Sequence, residues 1–217
     1  MKRVIAIDGP SGAGKSTIAK LLAGKLGFQY LDTGALYRAV ALNLVGLGIY
    51  GNEADEAIAA ALEKTKVEFE RERVILNGKD VSDDIRTPEA GHYASVFSAR
   101  GPVRRFLLGI QREAAMRSDL VAEGRDMTTV VFPEALRKFY LDASVGERVK
   151  RRTRELLAKG FVIDEESVRK EIVERDSRDS GRDLAPLRKA EDAHYIDSTG
   201  LAKEEVLRII LEIVGPL

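Results

Sequence analysis

Apolar and polar positions alternate along the chain with two different periods, and the switches between them mark out its elements. Val4-Ile5-Ala6-Ile7 is a short unbroken apolar run ending at Asp8-Gly9-Pro10, the pattern of a strand buried on both faces. After a glycine-rich stretch, Ile18, Leu21, Leu22 and Leu26 recur at helical spacing and predict an amphipathic helix. Phe28 to Leu31 predicts a second strand, followed by a helix starting near Gly34 with Leu36, Val40 and Leu44 turned inward. Leu120 to Ala122, Lys138 to Leu141 and Tyr195 to Asp197 are the remaining strand candidates. Helical segments around Val103 to Met116, Val145 to Ala158 and Lys203 to Val214 flank them. Strands alternating with helices imply right-handed βαβ units, so the fold class is α/β, with a central parallel sheet covered by helices on both faces.

One stretch breaks this rhythm. Lys66-Val67-Glu68-Phe69, Val74-Ile75-Leu76 and Lys79-Asp80-Val81 are three short strand-like pieces of alternating polarity. Asn77-Gly78, the favoured pair for a tight hairpin, joins the last two. Half-polar strands do not fit the centre of a parallel sheet, so residues 55–85 are expected to form a small inserted three-stranded lobe.

Composition narrows the function. Lys+Arg and Asp+Glu both number 35, giving zero net charge and none of the basic excess usual in nucleic-acid or membrane-surface proteins. The 217 residues include no cysteine, which excludes disulfides, thiolate metal sites and a cysteine nucleophile. No apolar run approaches the roughly 18 residues of a membrane span, and the N-terminal apolar core is too short for a signal peptide. A cytoplasmic protein is expected, with neither nucleic acid nor membrane as partner. His92 and His194 lack metal-site spacing.

The chemistry begins where the first strand ends. Gly9-Pro10-Ser11-Gly12-Ala13-Gly14-Lys15-Ser16 matches G-x-x-x-x-G-K-[ST] in full, with the strand before it and the helix after it that a phosphate-binding P-loop requires. Glycines let the backbone wrap a polyphosphate, and the helix adds its positive end. Lys15 is expected to reach the β- and γ-phosphates of ATP, Ser16 to help hold Mg2+, and Thr17 to support the α-phosphate.

A P-loop alone does not separate a small-molecule kinase from a switch or motor. No Asn-Lys-x-Asp guanine reader occurs, and Val121-Ala122-Glu123 only distantly approximates the acidic strand end of motor ATPases. The chain instead carries arginine groups suited to bringing two phosphorylated substrates together. In Asp32-Thr33-Gly34-Ala35-Leu36-Tyr37-Arg38, Thr33 and Arg38 can contact a phosphate, although a capped helix start with a solvated arginine has the same pattern. Glu123-Gly124-Arg125-Asp126 lies at the C-terminal end of a predicted strand, where open α/β sheets bind ligands. Arg148 and Arg152 share a helix face, and Arg175 to Arg182 repeats arginine around Asp176 and Asp179. Such runs are usually solvated faces, but a basic helix followed by Gly160 also fits a lid that closes over ATP and excludes water.

Together with Val130-Val131-Phe132-Pro133, Glu174-Arg175-Asp176, Ala185-Pro186-Leu187 and Asp197-Ser198-Thr199, these blocks resemble the bacterial cytidylate kinases, among the nucleoside monophosphate kinases. The resemblance covers nearly the whole chain. It implies one P-loop kinase domain over residues 1–217, the 55–85 lobe as the nucleotide-binding insertion, and a helical lid over 148–182. It implies transfer of the γ-phosphoryl of ATP to CMP or dCMP by a monomer. Carried over position by position, Arg38, Arg125 and Arg182 grip the acceptor phosphate with Thr33 nearby. Ser95, Arg104 and Asp126 read cytosine, and Arg175 and Asp179 contact the sugar. The cytosine amino group wants an acceptor such as Asp126, while N3 and O2 want a donor such as Arg104. The attacking phosphate oxygen is already ionised, so catalysis needs alignment and charge neutralisation by Lys15, Mg2+ and lid arginines, with Arg148, Arg152 and Arg178 as candidates. Thr128 departs from the glycine usual in that family and is expected to stiffen or shift the loop bearing Asp126. Two other readings stay open on the residues: a P-loop kinase for another monophosphate or a metabolite alcohol, and a nucleotide-dependent switch.

Overall fold

A computed structural model of the chain describes residues 2–70 and 73–216. Its main sheet contains β1 (Val4–Asp8), β2 (Gln29–Asp32), β6 (Leu120–Gly124), β7 (Arg137–Asp142) and β8 (His194–Asp197), all parallel, in the order β2-β6-β1-β7-β8. β1 lies at the centre and, like its neighbour β6, is buried along its whole length and feeds apolar side chains to both faces. Val4 and Ala6 face one core, Ile5 and Ile7 the other, as the period of two demands.

On one face α1 (Lys15–Leu26) and α8 (Lys203–Val214) bury Ile18, Leu22, Val206 and Ile210. On the other, α2 (Thr33–Gly46) and α5 (Gly101–Arg117) bury Leu36, Val40, Leu44, Val103 and Leu107. The second core continues without a break into α3 (Asp55–Glu63) and the antiparallel sheet β3 (Val67–Glu70), β4 (Arg73–Leu76) and β5 (Lys79–Asp80), through Ile58, Leu62, Val67, Val74 and Leu76. A 3₁₀ turn (Asp84–Arg86) leads from this sheet to α4 (Pro88–Phe97). α6 (Val145–Ala158) and α7 (Glu165–Gly181) pair around their own small core of Val149, Leu156, Val168 and Ile172.

Differences from the sequence expectation have local causes. Leu21 is 37% exposed because it sits about 100° round α1 from buried Leu22. β2 starts at Gln29 since the Phe28 N–H still closes the preceding helix onto Ala23 O at 3.0 Å. α4 lies outside the predicted elements, yet its start is marked: the Thr87 hydroxyl accepts from Ala90 N at 3.1 Å and Pro88 takes the first turn. Among the described residues no helix is long and apolar enough to cross a membrane.

Candidate active site

The phosphate loop runs from the end of β1 into α1 at the C-terminal edge of the sheet. Gly9 is required by both conformation and space: its φ is +152°, and a Cβ there would lie 1.9 Å from Leu141 O of the neighbouring strand. Lys15 is buried, and its Nζ donates to Pro10 O at 2.7 Å within the same loop. Burial pushes its pKa down to about 7, helped by Arg125 and Arg175 and opposed by Glu123 and Asp8. Ser16 donates from Oγ to Glu123 Oε1 at 2.7 Å, and Tyr30 OH reaches the same oxygen at 3.2 Å. Glu123 thus stands where an acidic strand end supports a P-loop, despite the weak pattern around it. Gly124 is needed for close approach, since a Cβ there would lie 2.8 Å from Thr33 Oγ1. Thr33 Oγ1 itself donates to Glu123 O at 2.7 Å.

Across the same edge, the arginines of α2, α5, α7 and the β6 loop meet aspartates. Asp32 caps α2 by accepting from Ala35 N at 2.8 Å through Oδ1. Its Oδ2 faces Arg38 Nη2 and Arg86 Nη1, each at 3.3 Å. Arg125 Nε donates to Asp179 Oδ2 at 2.9 Å, and Arg104 Nη2 pairs with Asp126. Arg182 donates from Nε to Ala185 O at 2.8 Å and from Nη1 to Ser98 Oγ at 3.0 Å. Burial raises the pKa of Asp126 against the pull of Arg104 and Arg182. It also pushes Asp179 up, but Arg125, Arg175 and Arg182 outweigh it and hold the carboxyl below its ordinary value. Burial and the Arg125 charge push Arg175 down to about 10. Arg38 Nε, Arg175 Nε and Arg182 Nη2 are buried donors without a hydrogen-bond partner, so this crowd retains capacity for an anion.

A single cavity of about 720 Å³ joins the loop to the arginine crowd, within the range of small-molecule sites. Ser11 to Thr17 line it, as do Thr33, Arg38, Ser95, Arg104, Arg125, Asp126, Arg152, Arg175, Asp179 and Arg182. Gly9 and Pro10 lie behind the loop, outside this lining.

The arginine candidates of the helical pair divide. Arg152 is on the cavity wall, whereas Arg148 and Arg178 are not. Arg148 points beneath the phosphate loop: Nε donates to Ala143 O at 2.9 Å, Nη1 to Ser11 O at 3.0 Å, and it also pairs with Asp176. Arg178 Nε reaches Ser95 Oγ at 3.2 Å on the far side. Arg151 and Arg154, absent from the sequence candidates, line the cavity instead. Arg151 spans Ala13 O at 3.2 Å and Ser198 O at 2.7 Å. Arg86 also lines the cavity and was equally hidden, since a lone arginine in Ile85-Arg86-Thr87 carries no pattern.

The site offers few metal ligands of its own. Among the described residues no group of three or more His, Cys, Asp or Glu converges on one point. Ser16 Oγ beside Glu123, both hard oxygen donors, suits a cation such as Mg2+ that keeps waters and takes phosphate oxygens.

Known proteins resemble this one along nearly its whole length. A family model described as cytidylate kinase matches residues 5–215. The cytidylate kinase of Thermodesulfovibrio yellowstonii is 50% identical over 219 residues, covering 99% of each chain. That of Thermosipho melanesiensis is 51% identical over 210 residues, covering 97% of this chain and 95% of its own. Among solved structures, an uncharacterized protein from Eubacterium ventriosum superposes with a TM-score of 0.55 at 14% identity over 98% of both chains, a likeness of fold alone.

Proposed function

The chain belongs to the cytidylate kinase family, and from that premise we infer how its own residues divide the work. The enzyme transfers the γ-phosphoryl group of ATP to CMP or dCMP, giving ADP and CDP or dCDP. The observation that supports the following assignment is the continuity of one cavity from the phosphate loop to the paired arginines.

In this reading Ser11 to Thr17 wrap the donor phosphates, and Lys15 leaves Pro10 O to meet the transferring group. Ser16 and Glu123 hold Mg2+, which when bound neutralises phosphate oxygens. Arg38, Arg125 and Arg182, with Thr33 and the additional Arg86, grip the acceptor phosphate. Ser95, Arg104 and Asp126 read cytosine, while Arg175 and Asp179 take the sugar hydroxyls. The acceptor oxygen attacks as an anion, so no side chain needs to remove a proton. The protein aligns the two phosphates and screens their repulsion. Residues 55–85 serve as the acceptor lobe and 148–182 as the lid. Arg152 acts from the lid, joined by Arg151 and Arg154, while Arg148 and Arg178 reach the transferring group only if α6 and α7 shift. The enzyme acts as a monomer in the cytoplasm, where its soluble nucleotide substrates are found.

The test is ADP release from ATP·Mg2+ with CMP, dCMP, UMP, AMP, GMP, shikimate or no acceptor. Turnover confined to CMP and dCMP is expected. Preference for another acceptor would overturn the base-reading assignment, and acceptor-independent hydrolysis would point to a switch.

A further inference from the structure

The turn that follows Arg125-Asp126 is held from outside itself. Met127–Val131 form one π-helical turn, and the first N–H groups of any helical turn lack partners within it. An aspartate just before such a turn is among the side chains that most readily supply one. Asp126 occupies that position, yet its side chain makes no capping hydrogen bond. Asp8, at the end of β1, does so instead. Its Oδ1 accepts from Met127 N at 2.9 Å, and its Oδ2 accepts from Thr128 N at 2.7 Å and Thr128 Oγ1 at 2.6 Å. Both side chains are shut away from solvent, Asp8 at 0% and Thr128 at 1% exposure. The Thr128 hydroxyl supplies one of the three contacts, one that a glycine cannot make. The Asp126 carboxylate is thereby left facing Arg104 and, at 3.8 Å, Arg182.

We propose that Asp8 and Thr128 are specificity-positioning residues: by capping the 127–131 turn from β1, they keep the Asp126 carboxylate off its own turn and aimed at the acceptor base. The inference rests on the reading of Asp126 as a base reader. Its logic is competition for the same donors. When Asp8 loses its hold, Met127 N and Thr128 N need an acceptor, and Asp126, at the cap position itself, can serve them only by leaving Arg104. The cytosine amino group then loses its acceptor, and the distinction from a uracil carbonyl fades. Because Asp8 directly precedes Gly9, the same contact fixes the base-reading turn relative to the phosphate loop.

The experiment compares kcat/KM for CMP and UMP in Thr128→Val, Asp8→Asn, Thr128→Ser and Asp126→Ala, together with the KM for ATP. Thr128→Val removes the hydroxyl with little change of shape, and Asp8→Asn weakens the cap from the other side should the first variant fold poorly. The CMP:UMP ratio is expected to fall about tenfold in both, mainly through the KM for CMP, as for loss of a hydrogen bond to a charged group. Thr128→Ser restores it. A merely structural role would lower turnover of both acceptors alike and leave the ratio at the wild-type value, overturning the proposal. Asp126→Ala separates the two levels. If it leaves the ratio intact, the base-reading assignment fails and the positioning role with it. If it collapses the ratio while Thr128→Val and Asp8→Asn do not, base reading stands and the positioning role alone is wrong.

Discussion

Lys15 shows how a single residue's state depends on what the site is about to receive. Buried beside Arg125 and Arg175, its ammonium is disfavoured and titrates near 7. In the proposed assignment, triphosphate brings negative charge to that position and restores the proton, since a nearby anion favours the charged form. ATP binding should therefore take up protons above about pH 7, and below about pH 6 this uptake should vanish because Lys15 is already charged. Calorimetry of ATP binding in buffers of different ionisation enthalpy measures it, and Lys15→Arg should abolish it. At this scale legibility was uneven. Lys15 and Ser16 stand in a contiguous motif whose chemistry is local. Glu123 meets Ser16 across 107 residues, and Asp8 meets Thr128 across 120. No spacing rule reaches that far, so the expectation that Thr128 alters its loop had no partner to name.

Among the elements, the β4–β5 hairpin was readable because its turn chemistry is local. Asn77 and Gly78 take φ of 50° and 84°, the left-handed pair that a tight hairpin needs. Less readable was what Asn77 does beyond the turn: Oδ1 accepts from Lys66 N at 2.8 Å and Nδ2 donates to Asn43 Oδ1 on α2 at 3.1 Å. Asn77→Ala should cost about 2 kcal/mol in urea unfolding, combining left-handed strain with lost hydrogen bonds. Asn77→Gly, free of the strain, should cost less. Helices α6 and α7 show the opposite case. The bounds of α6 followed from patterning, those of α7 were not predicted, and the direction of each arginine was legible in neither. Arg148 and Arg152 share a face by helical geometry, yet Arg148 is drawn under the phosphate loop by Ser11 O and Asp176 while Arg152 remains on the cavity wall. Which arginine points inward is decided by partners on other elements.

For the whole molecule, two cores flank one sheet, and α6 and α7 carry a separate core of their own. A unit with its own small core can shift against the body with little loss of apolar burial. Lys159 lines the cavity, and three residues further on Val162 is fully exposed. If closure over both nucleotides draws this segment inward, ATP and CMP analogues together should protect the Lys159–Gly160 bond from trypsin more than either alone. Cleavage at equal rates in all four conditions would sink the idea of a closing lid. The alternation of strands and helices made the α/β architecture readable from sequence, whereas the merging of the 55–85 lobe with the second core emerged only from the packing.

The position of β1 also governs when the enzyme can exist at all during synthesis. Its two neighbours are β6 and β7, and β2, the next strand made, lies on the far side of β6. A nascent chain that has left the ribosome only as far as Arg117 therefore carries Val4-Ile5-Ala6-Ile7 with no strand to lie against. Until Asp142 has emerged and β6 and β7 have closed on either side, the phosphate loop has no rigid strand to spring from. The ability to hold ATP thus waits for β6 and β7, and until they emerge the first apolar strand depends on collapse or a chaperone for cover.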